Sequence, residues 1–475
     1  MSKLNIDVVY LIFQEFKDDK KTLCSCLLVN KTWCEIIIPI LWKNPWKLLK
    51  EEEENLLLNV IISHLSDESR NNLSQDINFL TKSYQKPLFN YISFCRHLNF
   101  TRIVSIIDKL LFFNDHNKLT IKNEIFNLFI NENTKFSHLY IPCQFNYQIH
   151  LIPGAKRCLS EIEFLSCSTR INDDVLTGLT EIINSIKGLE LIIEEDDNNY
   201  IEIARLIETQ KKLLNINLIP RKPYITLDEP FFKIVEKSLI KHANTIQQFE
   251  LISQPSKEFL SYFVNLKTLE LRNGSCVIWN CLENLSLPSL QILRARRIWI
   301  KSLASLIENT SGSLVEIKID YISHDGISNK RIIQAIYKNC PNLKYLKLVF
   351  INNNILELKN LLIRCQHLNG LFFMASNWST FDWDSLFTIL TESSPTSLFK
   401  FKFSICSGKL IDLESLKLFF DNWKGRRPML LQFTHSKSKV EFFHLLNKYK
   451  LEGVIKKYDY YNSEFERPCE DFEWI

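Results

Sequence analysis

Glycine is scarce in this chain, with 10 residues among 475, about 2% where soluble proteins average about 7%. Loops that cradle phosphates need clustered glycines, because only a residue without a side chain lets the backbone approach the ligand closely. Neither G-x-G-x-x-G nor G-x-x-x-x-G-K-[ST] occurs in the sequence. The scarcity of glycine therefore argues against a nucleotide-dependent enzyme.

Catalytic and metal-binding patterns are missing as well. The sequence contains no H-E-x-x-H, no G-x-S-x-G and no H-R-D, and its ten histidines stand singly. No C-x-x-C occurs among the 13 cysteines, which are odd in number and scattered. We expect a protein with no active site, cofactor or bound metal, and with free thiols suited to a reducing compartment.

Strong charge of one sign and long apolar runs are also absent. The net charge is +4, from 58 Lys and Arg against 54 Asp and Glu, which is too small to indicate nucleic acid or an anionic membrane as a partner. No apolar run reaches the roughly 18 residues of a membrane-spanning helix. Because no signal-peptide pattern opens the sequence, we expect a soluble protein of the cytoplasm, the nucleus or both.

The sequence does contain an internal repeat, which is clearest at residues 340–348. This stretch reads C-P-x-L-x-x-L-x-L, and its last two leucines alternate with polar residues as in a half-buried strand. The pattern L-x-x-L-x-L recurs 12 times, and its first and last copies begin 292 residues apart. The mean spacing of about 26.5 residues falls within the range of leucine-rich repeats. The copies begin at Phe136, Leu159, Ile186, Leu213, Ile246, Leu266, Leu290, Leu314, Leu343, Leu368, Leu398 and Pro428.

Each copy is followed by a helical stretch or a loop, which predicts an α/β leucine-rich-repeat solenoid (a horseshoe) with a parallel sheet on its concave face. The residue between the last two apolar positions should point out of that face. These residues are mostly acidic in the earlier copies and basic in the later ones, so we expect a protein of opposite polarity to bind there, with aromatic anchors. The alternative is that the charges only solvate the strands. The predicted contacts are Glu163, Glu190, Glu250, Glu270, Arg294, Lys318, Tyr345, Lys347, Phe372 and Lys402.

The first 46 residues predict three short helices. Asn5 is a good N-cap, and apolar Val8, Val9, Ile12 and Phe13 follow at helical spacing. Three short helices bury a low fraction of their surface. They therefore either cap the repeats or form a docking module with an exposed apolar face.

This segment resembles an F-box. F-boxes typically read L-P-x-E/D-[IV]-x-x-x-I-F, then C-x-x-V-N/C-x-x-W, then P-x-L-W. Asn5 stands where proline is usual, so a side-chain cap replaces a preset helix start. The matching residues are Leu4, Asp7, Val8, Ile12, Phe13, Cys26, Val29, Trp33, Pro39, Leu41 and Trp42.

An F-box followed by leucine-rich repeats is an architecture of substrate receptors. The resemblance implies a non-catalytic substrate-recognition subunit of an SCF-type cullin–RING E3 ubiquitin ligase, which docks on a Skp-family adaptor and through it on cullin. The competing interpretation is a non-ubiquitin leucine-rich-repeat interaction scaffold. The implied adaptor contacts, of which Trp33 and Leu28 are alternatively core residues, are Leu4, Ile6, Val8, Ile12, Phe13, Leu28, Val29, Trp33, Leu41 and Trp42.

The predicted domains are an F-box at residues 1–46, a helical linker at 47–130, the repeat solenoid at 131–450 and a C-terminal tail or cap at 451–475. The two interpretations differ in one structural expectation. An apolar face left exposed by residues 1–46 favours the receptor, and a buried one favours the scaffold.

Overall fold

The structure of the chain is a computed structural model. It describes residues 5–47, 49–74, 86–110, 115–194, 200–221, 229–272, 279–320, 325–375, 381–405, 411–435 and 440–462. The chain forms two compact units. Unit 1 consists of residues 1–221 and 228–239, and unit 2 consists of residues 222–227 and 240–475.

Unit 1 begins with helices and continues as strand–helix repeats. Three helices lie in the predicted F-box and five more precede the second strand. The helices of the unit are α1 Ile6–Glu15, α2 Lys20–Cys26, α3 Lys31–Trp42, α4 Glu54–Ile62, α5 Asp67–Ser74, α6 Tyr91–Phe94, α7 Phe100–Leu110, α8 Asp115–Phe129, α9 Ala155–Leu159, α10 Asp173–Ile182, α11 Tyr200–Glu208 and α12 Glu229–Ile240, whose last residue belongs to unit 2.

The strands of unit 1 pair in parallel and in sequence order. They are β1 His97–Asn99, β2 His138–Ile141, β3 Phe164–Ser168, β4 Gly188–Ile193 and β5 Asn215–Pro220. Along β2 and most of β4, buried positions alternate with less buried ones, as in strands with one covered face.

Unit 2 repeats the same construction. Its strands also pair in parallel and in sequence order, and its successive helices pack side by side. The strands are β6 Gln248–Leu251, β7 Thr268–Arg272, β8 Ile292–Arg296, β9 Glu316–Asp320, β10 Tyr345–Phe350, β11 Gly370–Ala375, β12 Lys400–Ile405, β13 Met429–His435 and β14 Ile455–Asn462. The helices are α13 Ile300–Glu308, α14 Gly326–Asn339, α15 Ile355–Arg364, α16 Trp383–Ser393, α17 Leu413–Asn422 and α18 Val440–Leu451. The predicted α/β leucine-rich-repeat fold is confirmed.

The repeated leucine pattern places the core. In eleven of the twelve copies the second and third apolar residues lie inside a strand and are buried, as at Leu346 and Leu348 of β10. The copy that begins at Leu159 is displaced by three residues. In β3 the buried positions are Leu165 and Cys167, preceded by buried Ile162.

Two strands lie where the repeat pattern gave no signal. β1 falls in the predicted linker, and the buried residues around it are Cys95, Leu98 and Phe100, which fit the same spacing with only one leucine. β14 falls in the predicted C-terminal tail and pairs with β13. The stretch at β1 begins with a cysteine, whereas the twelve recognised copies begin with leucine, isoleucine, phenylalanine or proline.

Three helices of unit 2 begin with the same local sequence, D-x-x-S. Asp325, Asp382 and Asp412 are N-caps, and each carboxylate accepts a hydrogen bond from the backbone N–H of the serine three residues later. These bonds satisfy backbone donors that the first helical turn leaves without partners. Each such cap fixes where the chain leaves its loop and enters a helix.

Candidate functional site

The N-terminal helices α1, α2 and α3 enclose a small core of their own. It consists of Phe13, Leu23, Ile36 and Ile37, all less than a tenth exposed. Asn5, in the place of the usual F-box proline, caps α1 by accepting a hydrogen bond from the backbone N–H of Asp7 at 3.1 Å. The cap keeps the helix start at the position that the F-box pattern predicts.

A set of large apolar side chains of this segment remains exposed. We call it the helical face. It is formed by α1 and by the turn between α2 and α3, where Leu28 is 90% exposed. Its members are Ile6, Val8, Tyr10, Leu11, Ile12, Phe16, Leu28 and Val29, each at least 40% exposed.

The predicted adaptor contacts fall into three groups. Ile6, Val8, Ile12, Leu28 and Val29 belong to the helical face, so Leu28 is not a core residue. The second group is buried or half-buried: Phe13 is 4% exposed in the core, the ring of Trp33 packs edge-on against that of Phe13 with centroids 5.1 Å apart, Leu41 packs on the same core, and Trp42 is half-buried. The third group is Leu4 alone, which lies outside the described residues. The contact role of all ten residues stays a prediction.

The helical segment is joined to the first strand by the residues that follow α3. The ring of Trp42 stacks on Tyr91 at 4.7 Å, and Trp46 donates a hydrogen bond from Nε1 to the carbonyl oxygen of His97 at 2.8 Å. Trp46 is buried, and its ring lies 6.3 Å from that of Phe129. These contacts orient the helical face with respect to the sheet of unit 1.

The second candidate surface is one row of residues across the sheet of unit 2, which we call the sheet row. Strand pairing places every member opposite the next. Seven of the ten predicted partner contacts belong to it. The row runs Glu250, Glu270, Arg294, Lys318, Lys347, Phe372, Lys402, Gln432 and Asp459.

The charges of the sheet row form a ladder of ion pairs with residues on the adjacent positions. Arg272 approaches Glu270 at 2.6 Å and Glu250 at 3.2 Å. Arg294 bridges Glu270 at 3.7 Å and Glu316 at 2.9 Å. The expected acidic and basic halves are therefore partly neutralised, because Arg272 pairs with the glutamates of the row and Glu316 pairs with Arg294.

The later part of the ladder is more deeply buried than the alternation of the strand predicts. Lys318 contacts Glu316 at 3.1 Å, and Lys347 contacts Asp320 at 2.7 Å. The ammonium groups of Lys347 and Lys402 lie 4.6 and 4.8 Å from the centroid of Phe372. These last three side chains are at most 7% exposed, a degree of burial that the sequence pattern did not predict.

The remaining predicted partner contacts lie outside the sheet row. In unit 1, Ser166 and not Glu163 faces Glu190 across the strands, because the repeat copy there is displaced. Ser166 donates a hydrogen bond to Glu190 at 2.6 Å, whereas Glu163 precedes β3 and pairs with Lys187. In unit 2, Tyr345 opens β10, and Lys400 lies 5.4 Å from its ring centroid.

Sequence reasoning missed a stack of imidazole rings at the edge of unit 1. His97 and His138 face each other across β1 and β2 with ring centroids 3.9 Å apart. Burial lowers the pKa of His97 to about 3, with smaller contributions from His138 and neighbouring lysines, and burial also lowers the pKa of His138. Each ring is therefore neutral near pH 7. The stack could not be predicted because β1 was not predicted. Without that strand, nothing in the sequence places His97 opposite His138, which lies 41 positions further along the chain.

Comparison with known proteins adds little to this geometry. No family model matches the chain, and no curated protein is significantly similar to it. Among solved structures, the crystal structure of the leucine-rich repeat-containing protein LegL7 from Legionella pneumophila matches 64% of this chain and 84% of its own. The sequence identity is 14% and the TM-score is 0.30, values too low to bear on function.

Across the described ranges, no helix combines the length and the apolarity needed to traverse a bilayer. Nor does that part of the chain bring three or more His, Cys, Asp or Glu side chains together in an arrangement suited to a metal ion.

Proposed function

We propose that this protein is the substrate-recognition subunit of an SCF-type cullin–RING ubiquitin ligase. The helical face docks on a Skp-family adaptor, and the repeats bind the protein to be ubiquitinated. The observation that carries the proposal is the helical face, which combines eight exposed large apolar side chains with a segment that resembles an F-box. An exposed face of this kind is the feature that favours a receptor over a scaffold whose N-terminal helices only cap the repeats.

The role of the chain in such a complex is positional. The leucine-rich-repeat fold supplies an extended surface for protein–protein interaction, and the adaptor and cullin bring that surface near the ubiquitin-carrying enzyme. The rate of ubiquitin transfer then rises through effective concentration and orientation. This chain contributes no covalent step.

The docking step is tested by calorimetric titration of the full chain with a Skp-family adaptor bound to a cullin N-terminal domain. Replacing Ile12 and Leu28 together by Ser removes two apolar side chains of the helical face without entering its core. Burial of such side chains stabilises a complex by about 1.5 kcal/mol or more each, so we expect the affinity to fall about 100-fold.

The matched control is Leu418→Ser together with Leu451→Ser, which changes two exposed leucines of unit 2. Its affinity for the adaptor complex should equal that of the unmodified chain. The proposal fails if the unmodified chain does not bind, or if the two double variants bind equally well. Absence of binding leaves the non-ubiquitin interaction scaffold as the function.

The sheet row is the proposed substrate surface, and Arg294 is the residue best suited to test it, since its side chain is 38% exposed. Arg294→Gln removes the charge while keeping a long polar side chain. Proteins that require this surface should be captured by the unmodified chain and lost with the variant. Arg364→Gln on the outer helix α15 is the control, and equal capture by both variants argues against the sheet row.

A further inference from the structure

Unit 1 contains a cavity of about 500 Å³ beside the helical segment. It lies where the C-terminal end of α3 meets the chain that leads into α4. Its walls include Leu41 and Trp42 of α3, Pro45, and Leu57 of α4. Cavities that hold small molecules commonly measure about 300–1,000 Å³ and have mostly apolar walls.

One wall of the cavity is held in place by packing. Trp42 stacks on Tyr91 at 4.7 Å with an angle of 30° between the rings, and Leu57 is buried. Leu41 packs against the core of the three helices. Leu41 and Trp42, which the F-box resemblance assigns to the adaptor, thus line the cavity.

The residues that line the cavity include four lysines and two carboxylates. Lys20 pairs with Glu53 at 2.7 Å, and Lys47 pairs with Asp18. The two remaining lysines, Lys17 and Lys43, make no ion pair with any residue that the structure describes. The lining therefore combines an excess of two positive charges with apolar side chains.

One polar atom of a lining residue, Asn44, has no hydrogen-bond partner. Asn44 donates a hydrogen bond from Nδ2 to Nδ1 of His97 at 3.2 Å, whereas its Oδ1 is buried without any hydrogen bond. His97 also lines the cavity. Because the Asn44 oxygen is inaccessible to a water-sized molecule, it belongs to the wall of the cavity and does not contact a ligand.

We propose that this cavity is a binding site for a small amphipathic anion, a carboxylate carried on an apolar body. The carboxylate lies between Lys17 and Lys43, and the apolar body lies against Leu41, Trp42 and Leu57. Charge complementarity with the lining selects an acid over a neutral molecule, because the ion pairs at Lys20 and Lys47 neutralise only part of the positive charge of the lining. The site is separate from the helical face and does not depend on the ubiquitin-ligase proposal.

The probes are decanoate, which has an aliphatic body, and 2-naphthoate, which has an aromatic one. Each is titrated calorimetrically into the full chain, with decanol and 2-naphthol as neutral counterparts. We expect at least one acid to bind with one site per chain, and at least tenfold more tightly than its neutral counterpart. The acid that binds more tightly identifies the type of body.

The deciding variant is Lys17→Gln combined with Lys43→Gln, both at exposed positions where folding is little affected. It should weaken binding of the preferred acid at least tenfold. The matched control, Lys21→Gln combined with Lys31→Gln, alters two exposed lysines of α2 and α3 outside the cavity and should bind like the unmodified chain.

Three results would overturn the proposal. In the first, neither acid binds. In the second, the acids bind equally to the Lys17/Lys43 variant and to its control. In the third, binding has several sites per chain and is removed by Ile12→Ser with Leu28→Ser, which would place the acids on the helical face.

Discussion

Gly178, inside helix α10, is a residue whose identity follows from a single close contact. A Cβ atom added there would lie 2.3 Å from the imidazole ring of His150. Such overpacking costs about 1–3 kcal/mol, more than the helix propensity that alanine regains. We expect Gly178→Ala to lower the midpoint of urea unfolding.

The control for this variant is Gly326→Ala in helix α14. There an added Cβ meets only the Asn354 side chain at 4.0 Å, so alanine should leave stability unchanged or raise it slightly. If the two variants are equally stable, the close contact between Gly178 and His150 does not constrain the helix.

The stacked histidines give the stability of unit 1 a pH dependence. Because burial lowers the pKa of His97 and of His138 in the folded state, the unfolded chain takes up more protons as the pH falls through about 6.5. Folding is thus weakened from about pH 6.5 downward, and at His97 the loss continues to about pH 3.

We expect His138→Phe, which keeps a ring in the stack but removes its titration, to reduce the fall in melting temperature between pH 7.5 and pH 5.5. The same substitution at His367, an exposed residue of unit 2, should not change that fall. Identical pH profiles for the unmodified chain and the His138 variant would contradict the explanation.

At the scale of the elements, consecutive repeats of unit 2 are joined by buried amides. The Nδ2 group of Asn329, in α14, donates to the carbonyl oxygen of Val349 at 2.8 Å. Its Oδ1 accepts from Nδ2 of Asn354 at 3.2 Å and from the backbone N–H of Ile351 at 3.3 Å. This network ties a helix to the end of strand β10 and to the start of the next helix.

Removing the network leaves buried backbone groups without partners. We therefore expect Asn329→Leu to lower the free energy of unfolding by about 2–3 kcal/mol. Asn360→Leu, at an exposed position of α15, should change it by less than about 0.5 kcal/mol. Denaturant unfolding of both variants measures the difference, and equal stabilities would show that the amides are dispensable.

At the scale of the molecule, the N-terminal helices are part of the packing of unit 1. Deletion of residues 1–46 removes the buried ring of Trp46 and its hydrogen bond to His97, and it uncovers Tyr91. In the truncated protein, which consists of residues 47–475, we expect the backbone amides of β1 to exchange hydrogen faster than in the full chain. Unchanged protection of β1 would show that the segment is only an appended module. Point substitutions on the helical face are therefore a cleaner test of adaptor binding than the deletion.

How well each candidate surface could be predicted depended on how far apart in sequence its interacting residues lie. The sequence assigned both Leu28 and Phe13 to the adaptor contacts, with Leu28 alternatively in the core. Which of them is buried depends on how α1, α2 and α3 pack together. The ladder partners Arg272, Glu316 and Asp320 were not predicted. They meet the sheet row through strand register, which only the paired strands define.

The sequence by itself determined the repeat, the α/β class and most strand positions, because apolar spacing at period two specifies which residues a half-buried strand hides. It also determined the start of α1, since the N-cap Asn5 acts within one turn. Only the tertiary structure decided that Lys402 is buried, that His97 stacks on His138, and that Leu41 and Trp42 line a cavity. These properties depend on contacts between residues that are distant in sequence, and the amino-acid sequence carries no local signal for such contacts.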